Sequence, residues 1–150
     1  MARALAAAGV PGRVRELAES ARTAAEAAEA LGCDVGAIAS SLVFLTEGEP
    51  LLVMTSGRHR VDTAGLAARL GCGRLRRAAP EQVREATGQA IGGVAPIGHP
   101  GRLRAAVDEA LAAHPVAWAA GGTPRTVFPA TAEELARLSG GPLMAVAVQR

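Results

Sequence analysis

The chain has 150 residues, of which 49% are hydrophobic and 2% aromatic, and sixteen basic residues against fourteen acidic leave a formal net charge of +2. All sixteen basic residues are Arg, so chemistry that needs a lysine amine is closed to it. Two cysteines exclude a disulfide framework and a cysteine-rich metal site, and the near balance of charge excludes a general attraction for nucleic acid. Only local basic patches remain, Arg58 with Arg60 and Arg74 with Arg76 and Arg77.

The length predicts one domain over residues 1–150. Phe44, Trp118 and Phe128 are its only aromatic residues, so the core must be mainly Ala, Leu and Val. Ala2 to Ala8 reads as a short helix stopped by Gly9 and Pro11, and Val14 to Leu17 as a short strand. Pro11, Arg13 and Arg15 interrupt the start before a signal-peptide core develops, and no run is long enough to span a membrane. Cys33 and Cys72 then read as reduced residues of a cytoplasmic protein.

Thr23-Ala24-Ala25-Glu26 is a capping box for a helix that runs to Leu31 and stops at Gly32. Ser41 to Leu45 and Leu51 to Thr55 are apolar strands joined through Glu47-Gly48-Glu49-Pro50. Their unbroken apolar character predicts a sheet covered on both faces. Thr63 to Leu70 is a helix capped by Asp62 or Thr63 and ended by Gly71. Pro80 and Glu81 start another helix that ends at Gly88. Leu103 to Leu111 fits either a helix face or a strand that runs into a short helix. Val116 to Ala119, Val127 with Phe128, and Leu143 to Val148 read as strands, and Thr131 to Glu134 caps a helix ending at Gly140. The alternation predicts a compact α/β or α+β domain around a mixed sheet.

The run Gly92-Gly93-Val94-Ala95-Pro96-Ile97-Gly98-His99 is the most informative stretch. Its glycines let a ligand approach the main chain, and Pro96 stiffens the loop. No Gly-x-Ser-x-Gly elbow, P-loop or Gly-x-Gly-x-x-Gly motif is present, and His59, His99 and His114 lack metal-ligand spacing. His99 closes the loop within reach of a ligand, and His59 between Arg58 and Arg60 suits an anion site. His114 before Pro115 reads as structural, Asp62 as a helix cap, and Asp108 as a turn or surface group. What remains is a pocket of backbone amides and hydroxyls, with Ser40 and Ser41 beside the glycine loop. Such a pocket orients an acyl carbonyl and stabilises the oxyanion during attack by water.

Four segments together resemble the YbaK and prolyl-tRNA-synthetase-associated domain family. They are Thr23 to Gly32, Ile38 to Phe44, His59-Arg60-Val61-Asp62, and Gly92 to Gly98; Ala120-Gly121-Gly122-Thr123 also fits. The resemblance runs from about Val14 to Val148 and implies an α/β (α+β) fold with a mixed, partly barrel-like sheet and short surrounding helices. On that basis residues 103–111 are a strand end running into a short helix. It implies hydrolysis of a small mischarged amino acid from tRNA, typically Ala or Cys on tRNA(Pro), with the substrate's own hydroxyl assisting and no cofactor or metal. The catalytic residues implied are Ser40, Gly92, Gly93 and Val94; the substrate-binding ones are Ser41, Arg58, His59, Arg60, Pro96, Gly98, His99 and Gly121. The implied partners are the acceptor end of a mischarged tRNA and an aminoacyl-tRNA synthetase, with no membrane, for a monomer or weak homodimer. Ser40 stands where the family has a Lys, and loss of that charge-assisted interaction costs about 1.5–3 kcal/mol. Arg58 or Arg60 is the nearest replacement cation, and a member that binds without turnover is the alternative.

Overall fold

The computed structural model describes residues 14–18, 23–97, 99–101, 103–123 and 125–147. The expected helix Ala2–Ala8 lies outside them, as do Gly98 and Val148. Strand β1 (Arg15–Glu16) is followed by helix α1 (Ala24–Leu31), a 3-10 turn at Val35–Ala37, and the long strands β2 (Ile38–Thr46) and β3 (Glu49–Ser56). Helix α2 (Thr63–Leu70), strand β4 (Arg76–Arg77) and helix α3 (Pro80–Thr87) come next. Then β5 (Arg104–Asp108) runs into a 3-10 turn at Glu109–Ala113, and β6 (Ala117–Ala120), β7 (Thr126–Ala130), α4 (Ala132–Ser139) and β8 (Leu143–Met144) complete the order.

Local chemistry sets the helix ends. Thr23 and Thr131 accept the amides of Glu26 and Glu134, and Glu134 returns a bond to the Thr131 amide. The Asp62 carboxylate accepts from Gly65 N at 3.1 Å, which settles the cap of α2 on Asp62. Gly32, Gly71, Gly88 and Gly140 end the four helices in the left-handed conformation. The β2–β3 turn is tighter than the sequence predicts: Glu47 and Gly48, at φ of 52° and 81°, form it alone, and Glu49 and Pro50 belong to β3.

The strands form one mixed sheet in the order β1-β7-β6-β2-β3-β5-β8. β2 pairs antiparallel with β3 along its whole length, whereas β3–β5 and β5–β8 are parallel. Leu51 and Val53 of β3 pack on one face with Phe44, Leu66 of α2, Ala106 and Val146. Leu52 and Met54 pack on the other with Val43, Val107, Phe128 and Leu135 of α4. All four of those β3 side chains are buried, as the continuous apolar pattern requires.

The far edge of β2 positions the site. β6 pairs there only at Ile38↔Trp118 and Ala39↔Ala119, and β4 only at Phe44↔Arg77 and Leu45↔Arg76, with Ala78 N reaching Val43 O. Between those pairings the sheet parts. β6 stops because Gly121 turns its amide to Thr126 O at 2.7 Å, and β4 stops because α3 begins at Pro80.

Candidate functional site

A cavity of about 290 Å³ fills the parting. Ser40, Ser41 and Leu42 of β2 form one wall, and Ile91, Gly92 and Val94 another. Thr23, Ala24 and Ala27 of α1, Trp118 and Ala120 of β6, and Thr123 with Thr126 close it, and Arg77 is on its rim. Because the strand is open here, residues of both its faces reach the cavity, so consecutive serines both line it. The hydroxyl oxygen of Ser41 is buried with no hydrogen-bond partner among the described residues. No carboxylate, histidine or cysteine is among the described residues that line the cavity.

Gly92 carries a φ of 87°, closed to most side chains, and its position lets the chain turn past the cavity mouth. The loop is held internally. Gly93 N donates to Ala90 O at 3.0 Å, and Ala95 N donates to Oε1 of Gln89 at 2.8 Å. The Gln89 amide donates in turn to Ile97 O. Gly93 and Pro96 are buried, and Gly92 and Val94 are the loop's glycine-run residues on the cavity wall. Gln89 as the clamp of this loop had no sequence signal, since its role is defined only by where residues 95 and 97 return.

His99 also braces the loop, donating from Nε2 to Ala95 O at 2.7 Å. Burial pushes its pKa below the ordinary 6.5, and the bond to Ala95 opposes that shift. The unfolded chain therefore takes up this proton first as pH falls. The stabilisation from neutral His99 is complete above about pH 6.5 and is lost as pH falls through the depressed folded value. Urea midpoints of the wild type should decline from pH 7.5 to 5.5 more than those of His99→Gln, which keeps a donor for Ala95 without titrating.

The remaining predicted residues sit apart from the cavity lining. Arg58 donates through Nε and Nη2 to Asp34 at 2.9 and 2.7 Å, and that bond holds the Asp34 carboxyl at a pKa of about 2. Arg60 is exposed. His59 is tied inward through Nδ1, which lies 2.7 Å from Oδ2 of Asp108, and about a third of its side chain, 35%, stays exposed. Asp108 is not a surface group, being 1% exposed. It accepts from Thr55 Oγ1, Ser56 N and Ala110 N at 3.2, 3.0 and 2.9 Å. Gly121 is buried behind Ala120, where an added Cβ would press on Thr126. Among the described residues the cation that reaches the cavity is Arg77, its guanidinium carbon 5.9 Å from the centre of the Phe44 ring. The Arg74–Arg77 cluster was visible in sequence, but its pairing to β2 was not.

The aminoacyl-tRNA editing domain model matches residues 18–138. The chain belongs to that family. This editing domain is 31% identical over 127 residues to an uncharacterized protein, YwhH, of Bacillus subtilis (strain 168), covering 84% of this chain and 80% of that one. It is 39% identical over 83 residues to a proline–tRNA ligase of Limosilactobacillus fermentum, covering 52% of this chain and 14% of the ligase. Its fold superposes with a TM-score of 0.91 and 47% identity on a solved structure described as a candidate trans-editing enzyme for prolyl tRNA synthetase, over 98% of this chain and 94% of that one. The α/β editing fold expected from sequence is thus the fold observed. No helix among the described residues is long and apolar enough to cross a membrane.

Proposed function

We infer that this editing domain is an aminoacyl-tRNA deacylase that hydrolyses the ester of a small mischarged amino acid, with tRNA(Pro) as its carrier. The observation that carries the reading is the cavity at the parted edge of β2, which joins the Ser40–Ser41 strand to the Gly92–Val94 loop. Its size suits a small amino acid with the terminal ribose at the mouth. Water attacks the ester carbonyl carbon, the bond from that carbon to the ribose oxygen breaks, and the free amino acid and intact tRNA leave. With no acid or base side chain on the described lining, the water's proton passes to the neighbouring ribose hydroxyl and on to the leaving oxygen. The protein contributes placement and amide dipoles. Gly92 and Val94 line the cavity and offer amides to the developing oxyanion, since among the described residues of the glycine run those of Gly93 and Ala95 are already donated.

Arg77 supplies the positive charge that Ser40 lacks, and it meets a phosphate of the acceptor end. It is exposed, and its stem and guanidinium rest by Phe44 at the cavity rim. Arg77→Gln should raise KM about tenfold at low salt with kcat little changed. The slope of log(kcat/KM) against log salt should shrink by about 0.7–0.9 for each phosphate the variant no longer neutralises. An unchanged slope would place the phosphate elsewhere.

Ser40 favours a second reading, ligand binding without turnover, because it is a hydroxyl at the position where the resemblance places a Lys. A panel of Ala-, Cys- and Ser-charged tRNAs decides between them. Release of amino acid faster than in buffer supports the deacylase. Filter binding of the same tRNAs with no release establishes the binder.

A further inference from the structure

The β2–β3 register fixes which way each β2 residue points its main chain. Gly57 N donates to Ile38 O, so Ile38, Ser40, Leu42 and Phe44 exchange bonds with β3. The alternate residues Ala39, Ser41 and Val43 direct both N–H and C=O to the opposite edge, as the bond from Ala78 N to Val43 O shows. Ala39 meets β6 and Val43 meets the β4 segment. Ser41 meets neither. The next rung with β6 would join Ser41 N–H to Ala120 C=O, but that pairing ends at Ala39↔Ala119. The next rung on the β4 side would set Ser41 opposite Pro80, which has no N–H to give. Among the described residues Ser41 therefore presents an unpaired donor and an unpaired acceptor at the cavity, beside its own buried and unpartnered hydroxyl. Ala120 C=O is aimed at the same opening from the other side.

Buried main-chain and hydroxyl groups left this way cost free energy unless a ligand or water completes them. A ligand that fits must carry a strong donor and an acceptor about one residue apart. An α-amino acid residue esterified through its carboxyl has that pattern, in its α-ammonium and its carbonyl oxygen. We propose that Ser41 reads the main chain of the aminoacyl group as one missing rung of the sheet. Its C=O and Oγ, with Ala120 C=O, accept from the α-ammonium, and its N–H donates to the acyl carbonyl oxygen. The site thus selects for a free α-amino group whatever the side chain. This rests on the deacylase or binder reading only in taking an aminoacyl ligand; in the deacylase reading the Ser41 N–H joins the loop amides at the acyl oxygen, while its C=O and Oγ read the α-ammonium.

The test uses stable amide analogues of the charged terminus, 3′-(L-alanylamino)-3′-deoxyadenosine and its 3′-propionylamino counterpart, which lacks the α-amino group. The wild type should bind the alanyl compound at least tenfold more tightly, and Ser41→Ala should cut that ratio several-fold without lowering Tm, since it removes an unpaired hydroxyl. Amide hydrogen exchange reads the backbone part. In the free protein the Ser41 amide should exchange much faster than those of Ser40 and Leu42, and the alanyl compound should slow it. Equal affinity for the two compounds, or a Ser41 amide as protected as its neighbours without ligand, overturns the proposal. Both measurements are independent of turnover. Deacylation without α-amino selectivity removes this inference and leaves the enzyme; selectivity without deacylation does the reverse.

Discussion

Ala120→Phe should abolish deacylation, by about a hundredfold or more, while Tm stays within about 2 °C of the wild type. Ala120 is the last residue of β6, half-buried, and its side chain lines the cavity opposite β2. A ring there occupies space the acyl group needs, and displacing a reacting group by an ångström already costs about a hundredfold. The substitution leaves the pairing of β6 with β7 intact, because that ladder uses main-chain groups. Steady-state deacylation and a thermal melt on the same preparation check it. Full activity with a filled cavity would move the reaction to another part of the surface.

The second large effect is on stability. Asp108→Ala should lower Tm by about 10 °C. The carboxylate is the common acceptor for Ser56 N, Ala110 N, Thr55 Oγ1 and His59 Nδ1, and two of these donors, on Thr55 and Ser56, are too deeply placed to turn to water without rearrangement. Each buried donor left without its acceptor costs about 1–3 kcal/mol, and for a chain of this length each kcal/mol is worth about 2–4 °C. Asp108→Asn should fall between, since its amide oxygen still accepts. His59→Ala should cost less than either, because a third of its side chain is exposed and the three other donors keep their acceptor. The effect should also reach the cavity weakly, through Thr55, the register partner of Ser40. A Tm loss of less than about 2 °C for Asp108→Ala would mean the donors find new partners.

Much of the local architecture was written in short-range chemistry. Thr131 with Glu134, Pro80 at a first turn, and glycines at positions 71, 88 and 140 act on neighbours three or four residues away, so the bounds of α2, α3 and α4 were legible. The apolar runs of β2 and β3 and the presence of a turn between them are local in the same sense, but that Glu49 and Pro50 join β3 and leave the turn to Glu47 and Gly48 was not legible. The Leu103–Leu111 stretch was not, because helix and strand patterns both fit it; its neighbours in space, Leu51 to Met54, make it a strand. The two-residue strand Arg76–Arg77 left no pattern in sequence and exists only because β2 offers it an edge.

The same division runs through the site. Composition and motif alone removed lysine, nucleotide-loop and serine-elbow chemistry and pointed to the Ser40–Ser41 strand and the glycine loop, and both segments border one cavity. Which cation stands beside that cavity, which amides are already spent, and that Asp108 is buried under His59 were decided by pairings across dozens of residues. A capping residue meets its partner within one turn of its own helix, so its role is set by neighbours in the chain. A strand edge is open or closed according to what the rest of the molecule brings beside it, and the gap at Ser41 exists because β6 turns away at Gly121 and β4 gives way to Pro80.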